Sequence, residues 1–304
     1  MASSTFTTLA PLESSLTTIN AHKFKKRSIE ADLNYWKNVE NQQKFVDFTG
    51  PDAAKVHEEI AKLIDSHKVL IHDIRGEEST FSLDKNGFQY VQHDVPELED
   101  WLDEKRVTEI LIPATEKLVA QITGAAKVVT FANRIRCFAS DDAKHAQNRA
   151  PAHNVHSDFT VTGALHHLRN IIKDPAEVDE LLRGRVYIIN VWRPLRTIDK
   201  DPLAVCDWTS VDPKKDWIAY RITHGGGWNE LGQQTFSDKH RWYYLGKQKP
   251  SEPLVFKQYD SKDETGCTLA HSAFVDSDML SLEQQVLQSH PEFLTLRICN
   301  TIYS

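Results

Sequence analysis

The apolar positions change their period part-way along the chain. Between residues 52 and 68, Val56, Ile60, Leu63 and Ile64 recur at helical spacing, and the run Val69-Leu70-Ile71-His72-Asp73-Ile74 that follows predicts a buried strand. Two further apolar segments, Thr80-Phe81-Ser82-Leu83 and Gly87-Phe88-Gln89-Tyr90-Val91-Gln92, flank Asp84-Lys85-Asn86-Gly87, where Asn-Gly is a hairpin signal. Over 104–123, Val107, Ile110, Leu111, Leu118, Val119 and Ile122 share one helical face, Gly124 is placed as a C-cap, and Pro113 is expected to kink or divide the helix. From about residue 127 the pattern becomes a series of short β-rich runs: 128–131, 135–138, 186–192, 203–208, 217–222, 241–245, 254–259, 268–273 and 293–298. Helical stretches interrupt it at 161–182, with Asp174-Pro175 as cap and first turn, and at 279–289. Helices that come first and strands that cluster later predict a mainly β fold with flanking helices, a two-sheet jelly roll of cupin-like form.

A chain of 304 residues is long enough to bury one large core. The expected organisation is a flexible N-terminal arm over 1–30 and a single domain over 31–304, helix-rich to about 126 with the jelly-roll core at 127–304. Composition narrows the partners. Apolar residues make up 40%, charged residues 26%, and the net charge is −7 with no basic stripe, so a nucleic-acid partner is not expected. The longest apolar runs, such as 186–192, fall far short of the ~20 residues of a membrane helix. The Ser/Thr-rich start lacks a secretory signal, and Lys23, Lys25, Lys26 and Arg27 after it leave a transit peptide as the alternative to a loose arm; the cytoplasm is the expected location. Cys137, Cys206, Cys267 and Cys299 show no CxxC pairing and read as reduced core thiols. Nothing in the sequence bears on oligomeric state.

Candidate chemistry lies in the histidines. An iron site that activates oxygen uses two imidazoles and one carboxylate on one face of the metal and leaves the remaining positions open. In a strand, residues i and i+2 share a side, so His156 and Asp158 can reach one ion. Such His-x-acid spacing is weak evidence, since 14 histidines and 43 acidic residues produce about two matches by chance. His290-Pro291-Glu292 is one of them and is set aside, because no histidine follows it. For the second imidazole, His166 and His167 fall in the helix just after the motif and read as surface residues, and His224 precedes the flexible Gly225-Gly226-Gly227. His240 and His271 compete; the short apolar strand around His271 favours it, with a core imidazole as the alternative for both. A buried dicarboxylate would need a cation. In Phe293 to Cys299, Leu294, Leu296 and Ile298 alternate with Thr295, Arg297 and Cys299, which puts Arg297 in the barrel interior if the aliphatic row packs on helices, and on a solvated face otherwise.

Ordered motifs then carry a resemblance from about residue 65 to the C-terminus: Ile71 to Glu78 (Ile-His-Asp-Ile-Arg-Gly-Glu-Glu), Asp84 to Phe88, His156 to Thr160 (His-Ser-Asp-Phe-Thr), Asn190 to Leu195 (Asn-Val-Trp-Arg-Pro-Leu), Asp201 to Asp207, His240 to Tyr244, Tyr259 to Ser261 and Ala270 to Phe274 (Ala-His-Ser-Ala-Phe). In these the chain resembles the fungal hydroxylase/desaturase family of specialised metabolism, which includes gibberellin desaturase-like and cephem methoxylase-related proteins. The resemblance implies a double-stranded β-helix, iron(II), 2-oxoglutarate as co-substrate and dioxygen. It also implies a small-molecule substrate, and it aligns His156, Asp158 and His271 with the metal positions. It moves His240 to the pocket wall or core. Phe159, Trp192 and Tyr259 are expected pocket walls. One departure stands out: where the family carries an Arg-Glu-Ser-Ile-Glu-Val-Arg-like run, this chain reads Pro291 to Arg297 without the first arginine and the serine. Arg297 or Arg193 is therefore expected to anchor the co-substrate, unless the co-substrate differs. Asn133 and Arg136, in a segment that also departs from the family form, are expected to mark an altered substrate pocket. Two alternatives accompany this reading, an iron oxygenase that dispenses with 2-oxoglutarate and a cupin-like binding protein without catalysis.

Overall fold

The structure is a computed structural model and describes residues 27–40, 44–47, 49–50, 53–95, 104–137, 152–198, 200–263, 268–276 and 291–302. The helix at 279–289 and most of the N-terminal arm lie outside these residues. Among the described residues the strands form two sheets. The larger contains β1 (Ile29–Trp36), β2 (Phe45–Asp47), β3 (Ile64–Asp73), β6 (His156–Ser157), β8 (Leu203–Cys206), β9 (Trp217–His224), β10 (Gly227–Gln234), β11 (Trp242–Tyr244) and β13 (His271–Ala273), in the order β1-β3-β11-β8-β13-β6-β10-β9-β2. The smaller contains β4 (Phe88–Tyr90), β5 (Lys127–Cys137), β7 (Arg185–Pro194), β12 (Leu254–Asp260) and β14 (Pro291–Ile302), in the order β4-β12-β7-β14-β5. The mainly β, two-sheet expectation holds.

Strand β7 shows how the core is divided. It is buried along nearly its whole length, as a strand covered on both faces must be. Tyr187, Ile189 and Val191 pack with Leu83, Val107, Leu111 and Val119 beneath the helical layer of the N-terminal half. Between them, Ile188 and Trp192 belong to clusters that include residues of the other sheet's side, with Phe159 and Val205 respectively. Period-two alternation thus separates a helix-facing row from a barrel-facing row on one strand.

The helices follow their expected caps with two differences. Helix α1 (Ala53–Lys62) precedes β3 as the periodicity predicts. Asn86-Gly87 makes no hairpin: Ser82 accepts a hydrogen bond from the Lys85 N–H and caps α2 (Leu83–Asn86), and Gly87 closes that turn at φ 81°. The left-handed Gly that a hairpin needs is also what a helix C-cap needs, so the same dipeptide serves both. Residues 104–123 form one continuous helical run of α3 (Glu104–Arg106), a π-helical turn at Val107–Leu111 and α4 (Ile112–Thr123), and the π turn lies directly before Pro113, which has no N–H to donate to the preceding turn. Helices α5 (Val161–Ile171) and α6 (Pro175–Arg183) divide the predicted 161–182 stretch, and Asp174 caps α6 through the Ala176 N–H. Strands β1 and β10 have no counterpart among the predicted runs, and the two runs predicted at 128–131 and 135–138 are one strand.

Candidate metal centre

Strand pairing brings the distant histidine to the motif. His271 of β13 and His156 of β6 are direct antiparallel partners, and β10 continues the sheet with Gln233 opposite His156. Directly opposed residues in an antiparallel pair share a face, and here the two imidazole centroids lie 4.4 Å apart. Asp158 follows β6 immediately. One ligand atom from each of His156, Asp158 and His271 lies within 4.8 Å of the others. His156 Nε2 is 3.9 Å from Asp158 Oδ1 and His271 Nε2 is 4.0 Å from Asp158 Oδ2. Asp158 and His271 are buried, and His156 is half-buried.

The surrounding hydrogen bonds fit a metal. His156 Nδ1 lies 2.7 Å from the Asn154 carbonyl oxygen and His271 Nδ1 lies 3.3 Å from that of Leu269. A carbonyl oxygen only accepts, so both Nδ1 atoms carry hydrogen, which in the neutral ring leaves each Nε2 a lone pair toward the shared space, the arrangement found in histidine metal ligands. Asn190 Nδ2 donates to Asp158 Oδ2 at 2.6 Å and fixes the plane of the carboxylate. Behind the site, Gln258 Oε1 accepts from the Asp158 backbone N–H at 2.7 Å. Two neutral imidazoles with one carboxylate is the donor set that suits iron(II) with positions left open. Neither Asn190 nor Gln258 was singled out in the sequence. Asn190 opens one of the matched motifs, which was the one available signal, whereas Gln258 had none.

Aromatic side chains stand on both sides of this centre. Along the barrel-facing row of β7, Asn190 lies between Ile188 and Trp192. Phe159 and Tyr259 pack with Ile188 in one buried cluster, and Trp192 packs with Phe256 in another. The Phe256 ring is 5.0 Å from that of His271. Burial pushes the Tyr259 hydroxyl pKa up, with the Asp260 charge acting in the same direction.

Among the other expected site residues, Arg193 and Asn133 lie away from this cluster. Arg193 occupies the odd, helix-facing row of β7, on the opposite face from Asn190, and donates through Nη1 to the carbonyl oxygens of His93 and Pro250, each at 2.9 Å. Burial lowers its pKa to about 10, which leaves it fully charged near neutrality. It is a staple between two segments and does not reach the metal centre. Asn133 is exposed and pairs in register with Leu296, which pairs with Val191 of the helix-facing row, so it too is off the barrel interior. Arg136 pairs with Phe293, and Arg297 pairs with Asn190 across the β7–β14 ladder. The side chains of Arg136 and Arg297 lie outside the described residues. His240 is buried core: its Nε2 meets Asp216 Oδ2 at 3.0 Å and its ring stacks on Tyr35. His166 and His167 are half-buried rather than on the helix surface; His166 stacks on Trp228, and His167 packs against Phe131 and Phe159 beside the centre. Cys206 is a buried free thiol whose pKa burial pushes up to about 12. Cys137 and Cys299 have no described side chain, and Cys267 lies outside the described residues.

Residues 33–285 match a family model described as "Oxidoreductase/YMDC permease-like domain". The chain is 35% identical to the hydroxylase/desaturase efuI of Hormonema carpetanum over 68% of its own length and 76% of that protein. It is 30% identical to the alpha-ketoglutarate-dependent dioxygenase tstK of Talaromyces stipitatus over 74% of its length and 82% of that protein. The chain belongs to the fungal hydroxylase/desaturase family of oxidoreductases. Its fold is that of the solved iron and alpha-ketoglutarate-dependent endoperoxidase NvfI, with a TM-score of 0.74 at 23% identity, covering 90% of this chain and 98% of that one. The jelly-roll expectation is therefore met. Among the described residues no helix is long and apolar enough to cross a membrane.

Proposed function

We propose that this member of the family is an iron(II)- and 2-oxoglutarate-dependent oxygenase that oxidises a C–H bond of a small specialised metabolite, by hydroxylation or desaturation, with His156, Asp158 and His271 holding the metal. The observation that carries the reading is the convergence of three ligand atoms within 4.8 Å, with both imidazoles turned Nε2-inward by carbonyls behind them. When bound, iron with 2-oxoglutarate and dioxygen supplies the oxidising power that breaks an unactivated C–H bond.

The chain's own part is positional. The Asn154 and Leu269 carbonyls hold each imidazole in its ligating tautomer, and Asn190 holds Asp158 against rotation. Arg297 is the cation assigned to the distal carboxylate of 2-oxoglutarate, because its register position pairs with Asn190 on the barrel-facing row. Phe159, Tyr259 and Trp192 serve as apolar walls that seat the substrate carbon and exclude water, with Phe256 and His167 added to that set.

Anaerobic addition of iron(II) and 2-oxoglutarate to the purified chain is expected to produce a metal-to-ligand charge-transfer band, and His156→Ala to abolish it while the protein stays folded. A folded wild-type protein that binds iron(II) without giving the band would overturn the co-substrate assignment. Succinate release per turnover separates this reading from an iron oxygenase that takes its electrons from the substrate alone, which the Pro291-to-Arg297 departure keeps worth testing. A protein with no affinity for iron would instead be a binding module.

A further inference from the structure

Gln258 is the extra residue of a bulge. Along β12, Lys257 pairs with Ile189 of β7 and Tyr259 pairs with the adjacent Ile188, so Gln258 has no partner in the ladder. Bulges re-aim a side chain off the regular alternation and are frequent beside active sites. Gln258 is 1% exposed, and its amide is fully used. Oε1 accepts from the Asp158 N–H at 2.7 Å and from Ser157 Oγ at 3.1 Å, while Nε2 donates to the Leu269 carbonyl at 3.0 Å and to its own neighbour's, Lys257, at 3.2 Å. A backbone N–H only donates and a carbonyl only accepts, so the partners fix which end of the amide is oxygen. The Leu269 carbonyl that takes this bond is the one that takes the Nδ1–H of His271.

One side chain from the smaller sheet therefore touches the backbone behind the carboxylate ligand and the acceptor behind the second imidazole, two segments more than a hundred residues apart. We propose that Gln258 is a positioning residue that sets the separation and orientation of Asp158 and His271 as a ligand pair. The inference rests on the reading that this trio holds iron. Removing the amide leaves the Asp158 N–H and one lone pair of Leu269 unanswered, and each is free to turn.

The test is cobalt(II) binding by the full chain, followed through its visible d–d bands, with the thermal midpoint of the metal-free protein measured alongside. Gln258→Met, of similar shape but without either bond, is expected to bind cobalt ten- to a hundredfold more weakly than wild type with altered bands, and Gln258→Asn, which is too short to span both partners, to fall between. A lowered midpoint with unchanged affinity and bands would make Gln258 a core staple and overturn the proposal. Should neither variant fold, the wild-type protein decides: the Gln258 side-chain amide resonances should shift on addition of zinc(II), and unshifted resonances overturn the proposal. Wild-type protein that binds neither cobalt nor zinc would overturn the iron reading itself, an outcome distinct from a variant that binds as well as wild type.

Discussion

Arg193 and Arg297 lie three residues of strand pairing apart and have opposite prospects, and alternation along β7 is what separates them. Arg193 shares the row of Ile189 and Val191 and satisfies two backbone carbonyls with one Nη atom. Arg297 pairs with Asn190, whose amide holds Asp158. Arg193→Ala is therefore expected to cost about 3 kcal/mol of stability, because two buried carbonyls lose their donor, while the KM for 2-oxoglutarate stays within twofold of wild type. Arg297→Ala should raise that KM tenfold or more with little loss of stability. Denaturant unfolding and steady-state kinetics on both variants check the pair; a KM effect at Arg193 would contradict the row assignment. At this scale the spacing of His156 and Asp158 alone was a chance-level match, and the ordered motifs around them were what set the pair apart. The sequence was not legible at Asn190 or Gln258, because an amide acquires its role from neighbours that only the folded sheet supplies.

Elements were legible where periodicity is unambiguous and caps are local. Helix α6 announces itself through Asp174-Pro175, and β7 through its unbroken apolar run. Strand β10 was invisible because Gly-Trp-Asn-Glu-Leu-Gly-Gln-Gln has neither apolar alternation nor β-branched residues. Its place is set by pairing with β9 and β6. Its neighbour α5 depends on close backbone approach. Thr160 caps α5 through the Gly163 N–H, its hydroxyl donates to Glu230 Oε1 at 2.6 Å, and a Cβ at Gly163 would run into the Glu230 carbonyl oxygen of β10. Gly163→Ala must push α5 away from β10 directly behind the His156–Asp158 segment. The expected cost is about 1–3 kcal/mol, as for other overpacked contacts, with a weaker metal site in the folded fraction. Chemical denaturation combined with cobalt titration measures both, and a variant as stable as wild type would show that the helix has slack the packing does not reveal.

For the molecule as a whole, stability carries two linkages of different origin. Burial holds the His240 imidazole below its ordinary pKa even though Asp216 pulls the other way. The unfolded chain then binds more protons than the folded one between that lowered pKa and about 6.5, so stability is complete above about 6.5 and falls as the pH drops through that window. Thermal unfolding from pH 7.5 to 5.5 should show the decline, and His240→Gln should flatten part of it. The second linkage is the metal. His156 and His271 belong to the larger sheet, while the groups that hold Asp158, Asn190 and Gln258, belong to the smaller one. An ion bound by the trio thus adds a bond that the unfolded chain cannot reproduce in that geometry, at the place where the two layers meet. Binding at a hundred times the dissociation constant stabilises the folded state by about 2.7 kcal/mol. In a chain of this size that corresponds to a rise in the thermal midpoint of roughly 5 °C. Iron(II) or cobalt(II) added anaerobically should produce that rise, a chelator should reverse it, and His271→Ala should lack it while keeping the midpoint of the metal-free wild type to within a few degrees. A rise of equal size in His271→Ala would mean that the stabilising ion sits elsewhere, and the trio would lose its claim to the metal.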